Sequence, residues 1–200
     1  MEHRVFISYH HANDQEYKEK LVRLAEENDI FIDCSVDTGD IPDNLTDQQI
    51  REKIRDEYLR DSSVTILLVG IETKYRKHID WELYSSMHDG KVNKKSGILV
   101  VNLPSTNCSQ CRAAHSGEHD NVFPEITSWI SVTERAEYER LYPYMPERII
   151  DNLLNNNAKI SVISWDKLTA NKLKYLSEKA FEDRSSCSYD LSRPMRRRNS

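Results

Sequence analysis

No stretch of this chain is apolar for long enough to cross a bilayer. The longest apolar run, Val64 to Ile71, falls far short of the roughly 20 residues a membrane helix needs. Glycine is scarce, and the five present (Gly39, Gly70, Gly90, Gly97 and Gly117) build neither a dinucleotide-binding fingerprint nor a phosphate-binding P-loop. An excess of positive charge is also missing. The net charge of -5 argues against a general binder of nucleic acid or anionic membranes, both of which require a basic footprint. The local exception is Arg193-Pro194-Met195-Arg196-Arg197-Arg198, expected to belong to a disordered basic tail over residues 191–200. The first strand pattern begins almost at Met1, with nothing resembling a secretion signal before it. Cys34, Cys108, Cys111 and Cys187 therefore read as free thiols, and the expected location is the cytoplasm.

What remains is a chain with 38% hydrophobic and 30% charged residues, enough for one solvated domain with a real core, expected over residues 1–190. Strand and helix patterns alternate along it. His3 to Tyr9 reads as a buried first strand. Asn13 and Glu16 have capping-box spacing, and Tyr17, Leu21, Leu24 and Ala25 follow at helical intervals. Residues 30–34 form a short second strand, and Asp37 to Leu45 a polar loop. Thr46 and Gln49 repeat the capping-box spacing before Ile50, Ile54 and Tyr58. Val64 to Val69 is apolar but for Thr65, as expected of a central parallel strand covered on both faces. Ile79, Leu83 and Met87 stripe the next helix, and Ile98 to Val101 form a fourth strand. Residues 103–144 break this rhythm as an irregular insertion, with Pro146 expected to open the next helix. Lys159 to Ser164 supplies a fifth strand, and Leu173, Leu176 and Ala180 a closing helix. The pattern predicts an α/β, flavodoxin-like, five-stranded parallel sheet with helices on both faces.

In such sheets ligands bind beyond the carboxyl ends of the strands. That rule selects Ser8 to His11, Ser35 to Asp37, Gly70 to Thr73 and Asn102 to Ser105. An FMN cradle is not indicated, since Tyr9-His10-His11-Ala12 lacks small hydroxyl residues. Nor is a phosphoacceptor receiver, which needs acids after the first strand and an aspartate after the third. Cys108, Cys111, His115 and His119 are zinc-ligand types at paired spacing, but their flanks are loop-like and their gaps short for a finger. A plain polar loop without metal is the expectation. Asp37, Asp40 and Asp43 lack calcium-loop spacing.

Three stretches then carry a resemblance. Phe6-Ile7-Ser8-Tyr9-His10, Asp33-Cys34-Ser35-Val36, and Ser62 through Gly70 resemble the first three strands of bacterial TIR-like proteins. Thr73, Arg76 and Trp81-Glu82-Leu83 fit the stretch bearing that family's catalytic glutamate, and the likeness is greatest to the TIR-like component of Thoeris antiphage defence. It covers the first half of the chain, and the remainder only in strand–helix order. Ordinary TIR domains space an aromatic several positions before the glutamate, whereas Trp81 adjoins Glu82, an adjacency the TIR-like subfamily tolerates. The resemblance implies NAD⁺ as substrate rather than bound cofactor, and cleavage of its nicotinamide–ribose bond. It also implies an ADP-ribose messenger, cyclic or otherwise, a separate effector protein that receives it, and a homo-oligomer. Glu82 becomes the candidate catalytic residue, and Ser8, Tyr9, His10, Ser35, Asp37, Thr73 and Trp81 the candidate substrate wall. A non-catalytic TIR-like assembly module and a plain NAD⁺ hydrolase stand as alternatives. Position alone leaves Glu82 an ordinary helix glutamate, ionised near its reference pKa of about 4.3.

Overall fold

A computed structural model describes residues 2–35, 41–42, 44–90 and 94–199. The run from Val64, apolar but for Thr65, becomes β3 (Val64–Val69), the centre of the sheet. On one side it pairs with β1 (His3–Ser8), which pairs in turn with β2 (Phe31–Asp33). On the other lie β4 (Gly97–Asn102) and then β5 (Ile160–Ser164), giving the order β2-β1-β3-β4-β5. Every pairing is parallel, so Ser8, Val69, Asn102 and Ser164 end their strands on the same edge.

Alternation along the strands divides the core into two layers. Val5, Ile7, Ile66, Leu68, Leu99 and Val101 pack against α1 (His11–Glu26) and α7 (Ala170–Asp183), which bring Leu21, Ala25, Leu173, Leu176 and Ala180. Leu67, Val69, Ile98 and Val100 face α3 (Lys77–Met87) and α6 (Glu147–Leu154) through Ile79, Leu83, Met87, Ile149 and Leu153. A third cluster joins Phe6 and Trp81 to α2 (Asp47–Lys53), which continues as a π-helical turn over Ile54–Tyr58. Gly97 is required where it stands, since a Cβ there would lie 2.0 Å from the Ala180 carbonyl oxygen of α7.

Thr46 and Gln49 do form a reciprocal capping box. The helix start expected at Asn13 lies earlier: α1 follows directly from the strand with His10 at its N-cap, and the Asn13 and Asp14 N–H groups donate to the His10 carbonyl. Pro146 sits at the N-cap of α6, one place before the helix. Residues 103–144 are irregular for most of their length and include α4 (Glu118–Asn121) and α5 (Arg135–Leu141). Arg112 makes an antiparallel bridge to Val162 and donates from its side chain to the Ile160 carbonyl at 2.6 Å. The insertion thus covers the otherwise open β5 edge, which would template unwanted pairing.

The basic tail, expected to be disordered, is packed through residue 199. Met195 is buried with Phe6, Ile50, Ile54 and Trp81. Arg148 of α6 is fully buried, grips Asp80 with two hydrogen bonds of 2.8 and 3.0 Å, and donates also to the Arg193 and Pro194 carbonyls. Asn199 accepts from the Lys77 N–H at the start of α3, and Arg197 reaches the Leu45 carbonyl and Asp47. Composition suggested disorder because it counts arginines. The tail packs because Arg193 pairs with Glu147 and Asp151, Arg197 pairs with Asp47, tail carbonyls accept from Arg148 and Trp81, and Met195 fills an apolar slot.

Candidate active site

Ser8 and Phe6 share one face of β1, the face that α3 covers. Phe6 meets Trp81, and Ser8, fully buried, donates from Oγ to Glu82 Oε2 at 2.7 Å. Glu82 lies in the second turn of α3, a helix anchored by Ile79, Leu83 and Met87 on one side and Trp81 on the other. It is only 4% exposed. Burial pushes its carboxyl up to about 7, opposed in part by the hydrogen bond from Ser8. The reference-pKa expectation for Glu82 is therefore revised. Sequence marks a helix glutamate as solvated, whereas this one turns inward onto the end of β1.

The other expected site residues divide. Trp81, expected on the ligand wall, is 1% exposed, and its Nε1 donates to the Arg196 carbonyl of the tail at 2.7 Å. Tyr9 follows Ser8 and so points to the opposite face. There it is buried against the α1 side, its hydroxyl donating to Gln15 and its ring stacked on His11 at 4.4 Å. Thr73 is fully buried and clasps the turn after β3, accepting from the Gly70 N–H at 2.8 Å. Ser35 accepts from the Ile7 N–H and donates to Asp33, tying the second strand to the first. Asp37 lies outside the described residues. His10 stands at the edge, half-buried, with Nδ1 enclosed and unpartnered among the described residues. Burial first, and then Arg76, lower the His10 pKa from the ordinary histidine value. Arg76 in turn pairs with Glu72 at 3.0 Å.

One residue at this edge escaped the sequence reading. Asp14, in the first turn of α1, is 4% exposed, and its carboxylate packs against the bare Cα of Gly70. Its Oδ2 has no hydrogen-bond partner among the described residues, and burial raises the carboxyl to about 6. An aspartate in an early helical turn normally reads as a dipole partner, so its burial carries no sequence signal. The glycine opposite was the available clue.

The cysteine–histidine segment disperses. Cys108 Sγ meets the Leu141 carbonyl, Cys111 lies near Lys167, His115 pairs with Asp183 at 2.7 Å, and His119 stacks on Trp129. No group of three or more His, Cys, Asp or Glu suited to a metal occurs among the described residues. Cavities of about 500 Å³ beside the insertion and about 230 Å³ under the tail are not lined by Glu82. Thr73, Arg76 and Asp80 line the smaller one, which therefore borders the site. The catalytic candidate itself is enclosed in this conformation.

The family described as Thoeris protein ThsB, TIR-like domain, matches residues 6–108 of the chain. The chain belongs to the Thoeris ThsB TIR-like family. Membership carries with it a role among Thoeris defence components. No curated protein matches the chain. The TIR-like match runs from β1 through β4 and contains Ser8, Asp14, Gly70, Thr73 and Glu82; most of the insertion and the whole strap-like tail fall outside it. No described helix is long and apolar enough to cross a membrane.

Proposed function

We propose that this Thoeris TIR-like protein cleaves the nicotinamide–ribose bond of NAD⁺ and forms an ADP-ribose signalling nucleotide, cyclic or linear, that activates a separate effector protein in antiphage defence. The observation that carries the reading is Glu82, buried at the carboxyl edge of the sheet with its Oε2 held 2.7 Å from Ser8 Oγ. Nicotinamide leaves as a neutral molecule from a cationic substrate, so no general acid is required. The demand lies in the oxocarbenium-like ribosyl centre, as in glycoside hydrolysis. An ionised Glu82 meets that demand electrostatically, and its enclosure strengthens the interaction. With its carboxyl at about 7, Glu82 exchanges its proton near neutrality, and a bound cationic substrate favours the ionised form. The same enclosure supports a second reading, a non-catalytic assembly module, because Glu82 is shut away as it stands.

Mass spectrometry of NAD⁺ incubations separates the two. Under conditions where the parent is active, Glu82→Gln is expected to lose on the order of 10²-fold or more in rate, while Glu26→Gln, exposed at the far end of α1, keeps parental turnover. Full turnover by Glu82→Gln would remove Glu82 from the chemistry and favour the assembly module.

A further inference from the structure

In a sheet ordered β2-β1-β3-β4-β5, the chain leaves β1 and β3 toward opposite faces. α1 follows β1 into one helical layer and α3 follows β3 into the other. The crevice between these two exits is the topological switch point, where α/β sheets bind ligands. Glu82 enters it from the α3 side, through Ser8. Asp14 stands on the α1 side, beside Gly70 at the end of β3.

A carboxylate that serves only the fold is expected to be paired or solvated. Asp14 is 4% exposed, and its Oδ2 is enclosed with no donor reaching it among the described residues. Space has been kept for it, since a Cβ on Gly70 would stand 2.5 Å from Oδ2 and 2.7 Å from Oδ1. His10, whose carbonyl accepts the Asp14 N–H, also presents an enclosed Nδ1 with no partner among the described residues. An unmatched acceptor and an unmatched imidazole nitrogen thus lie one helical turn apart at the switch point.

We infer that Asp14 is a second carboxylate of the substrate site, accepting a hydrogen bond from a ribose hydroxyl of the dinucleotide and so fixing the sugar against Glu82. The inference rests on the NAD⁺ reading and adds a residue to it. Asp14 binds and orients the sugar, while Glu82 faces the reacting carbon. The lost contact therefore belongs mainly to KM and the Glu82 contact to kcat.

The test compares the full-length parent with Asp14→Asn and Glu82→Gln in NAD⁺ turnover, calorimetric NAD⁺ binding and thermal unfolding at pH 8. Asn keeps the size of the side chain and removes the charge. The expected result is a rise in KM and in the dissociation constant of about tenfold or more, with kcat within a few-fold of the parent. Melting temperature should rise by about 2–4 °C or more, because an unpaired buried charge is relieved. Gly70→Ala, which drives a methyl into the carboxylate, should raise KM in the same direction. A falling melting temperature with unchanged KM would assign Asp14 to the fold and overturn the inference. An unchanged KM beside an inactive Glu82→Gln would overturn the inference and leave the NAD⁺ reading standing. A parent that neither binds nor turns over NAD⁺ would sink both.

Discussion

At the residue scale, the protein keeps two carboxyls in poor solvent, and each makes stability and function depend on pH. Burial raises Glu82 to about 7 in the folded chain, against an ordinary carboxyl value of 4.5. The unfolded chain therefore gives up this proton first, and stability falls as pH rises between those values and stays reduced above about 7. A shift of this size corresponds to roughly 3 kcal/mol. Relative to parent, Glu82→Gln should thus be more stable at pH 8 than at pH 5, which chemical denaturation at the two pH values would reveal. Equal effects at both would mean that Glu82 is not buried in solution. Ser8 supplies a complementary prediction. Its hydrogen bond lowers the Glu82 pKa, so Ser8→Ala should push it higher and move the acid limb of the kcat/KM profile upward in pH. An unshifted limb would dissociate that titration from Glu82.

The helix that presents Glu82 is held at the element scale by contacts from outside the family match. On α3, Asp80 accepts from Arg148 of α6 and from the Arg196 N–H of the tail, and Trp81 donates to the Arg196 carbonyl, while Arg148 also donates to the Arg193 and Pro194 carbonyls. Breaking a buried ion pair from one side leaves an uncompensated charge, so Arg148→Ala should cost about 3–5 kcal/mol in equilibrium unfolding. A loss under about 1 kcal/mol would mean that Asp80 is solvated or repaired by the tail. The elements themselves were largely readable. Val64–Val69 has the bounds the apolar run predicts, and Thr46–Gln49 caps α2 as its spacing requires. The start of α1 was misread because a backbone carbonyl, not a side chain, receives its first N–H groups. Nothing in residue type records that choice.

At the scale of the whole molecule, the described residues form one sheet with its helices. In the proposed function the signalling nucleotide acts on a separate effector protein. A protein-free filtrate from an active NAD⁺ reaction is then expected to activate a separately purified effector, and a filtrate made with Glu82→Gln is not. Inactive parent filtrates alongside a stable complex of the two proteins would favour assembly instead. Homo-oligomerisation is part of the same expectation and is measurable by light scattering on the same samples.

The sequence alone determined the fold class, the strand order of events along the chain and the identity of Glu82 as the residue to ask about. Those properties are written in short-range patterns: apolar runs, helical stripes, caps, and a family likeness carried by contiguous residues. Tertiary structure decided everything that depends on facing. It turned Trp81 into the core and Tyr9 to the far side of the sheet, since neighbouring side chains diverge on a helix and alternate on a strand. It also brought Asp14 beside Gly70, 56 positions apart in the chain, and laid the basic tail across α3. Burial is the property that makes a carboxylate chemically unusual, and it arises only when distant segments close over the group. No local pattern records that closure.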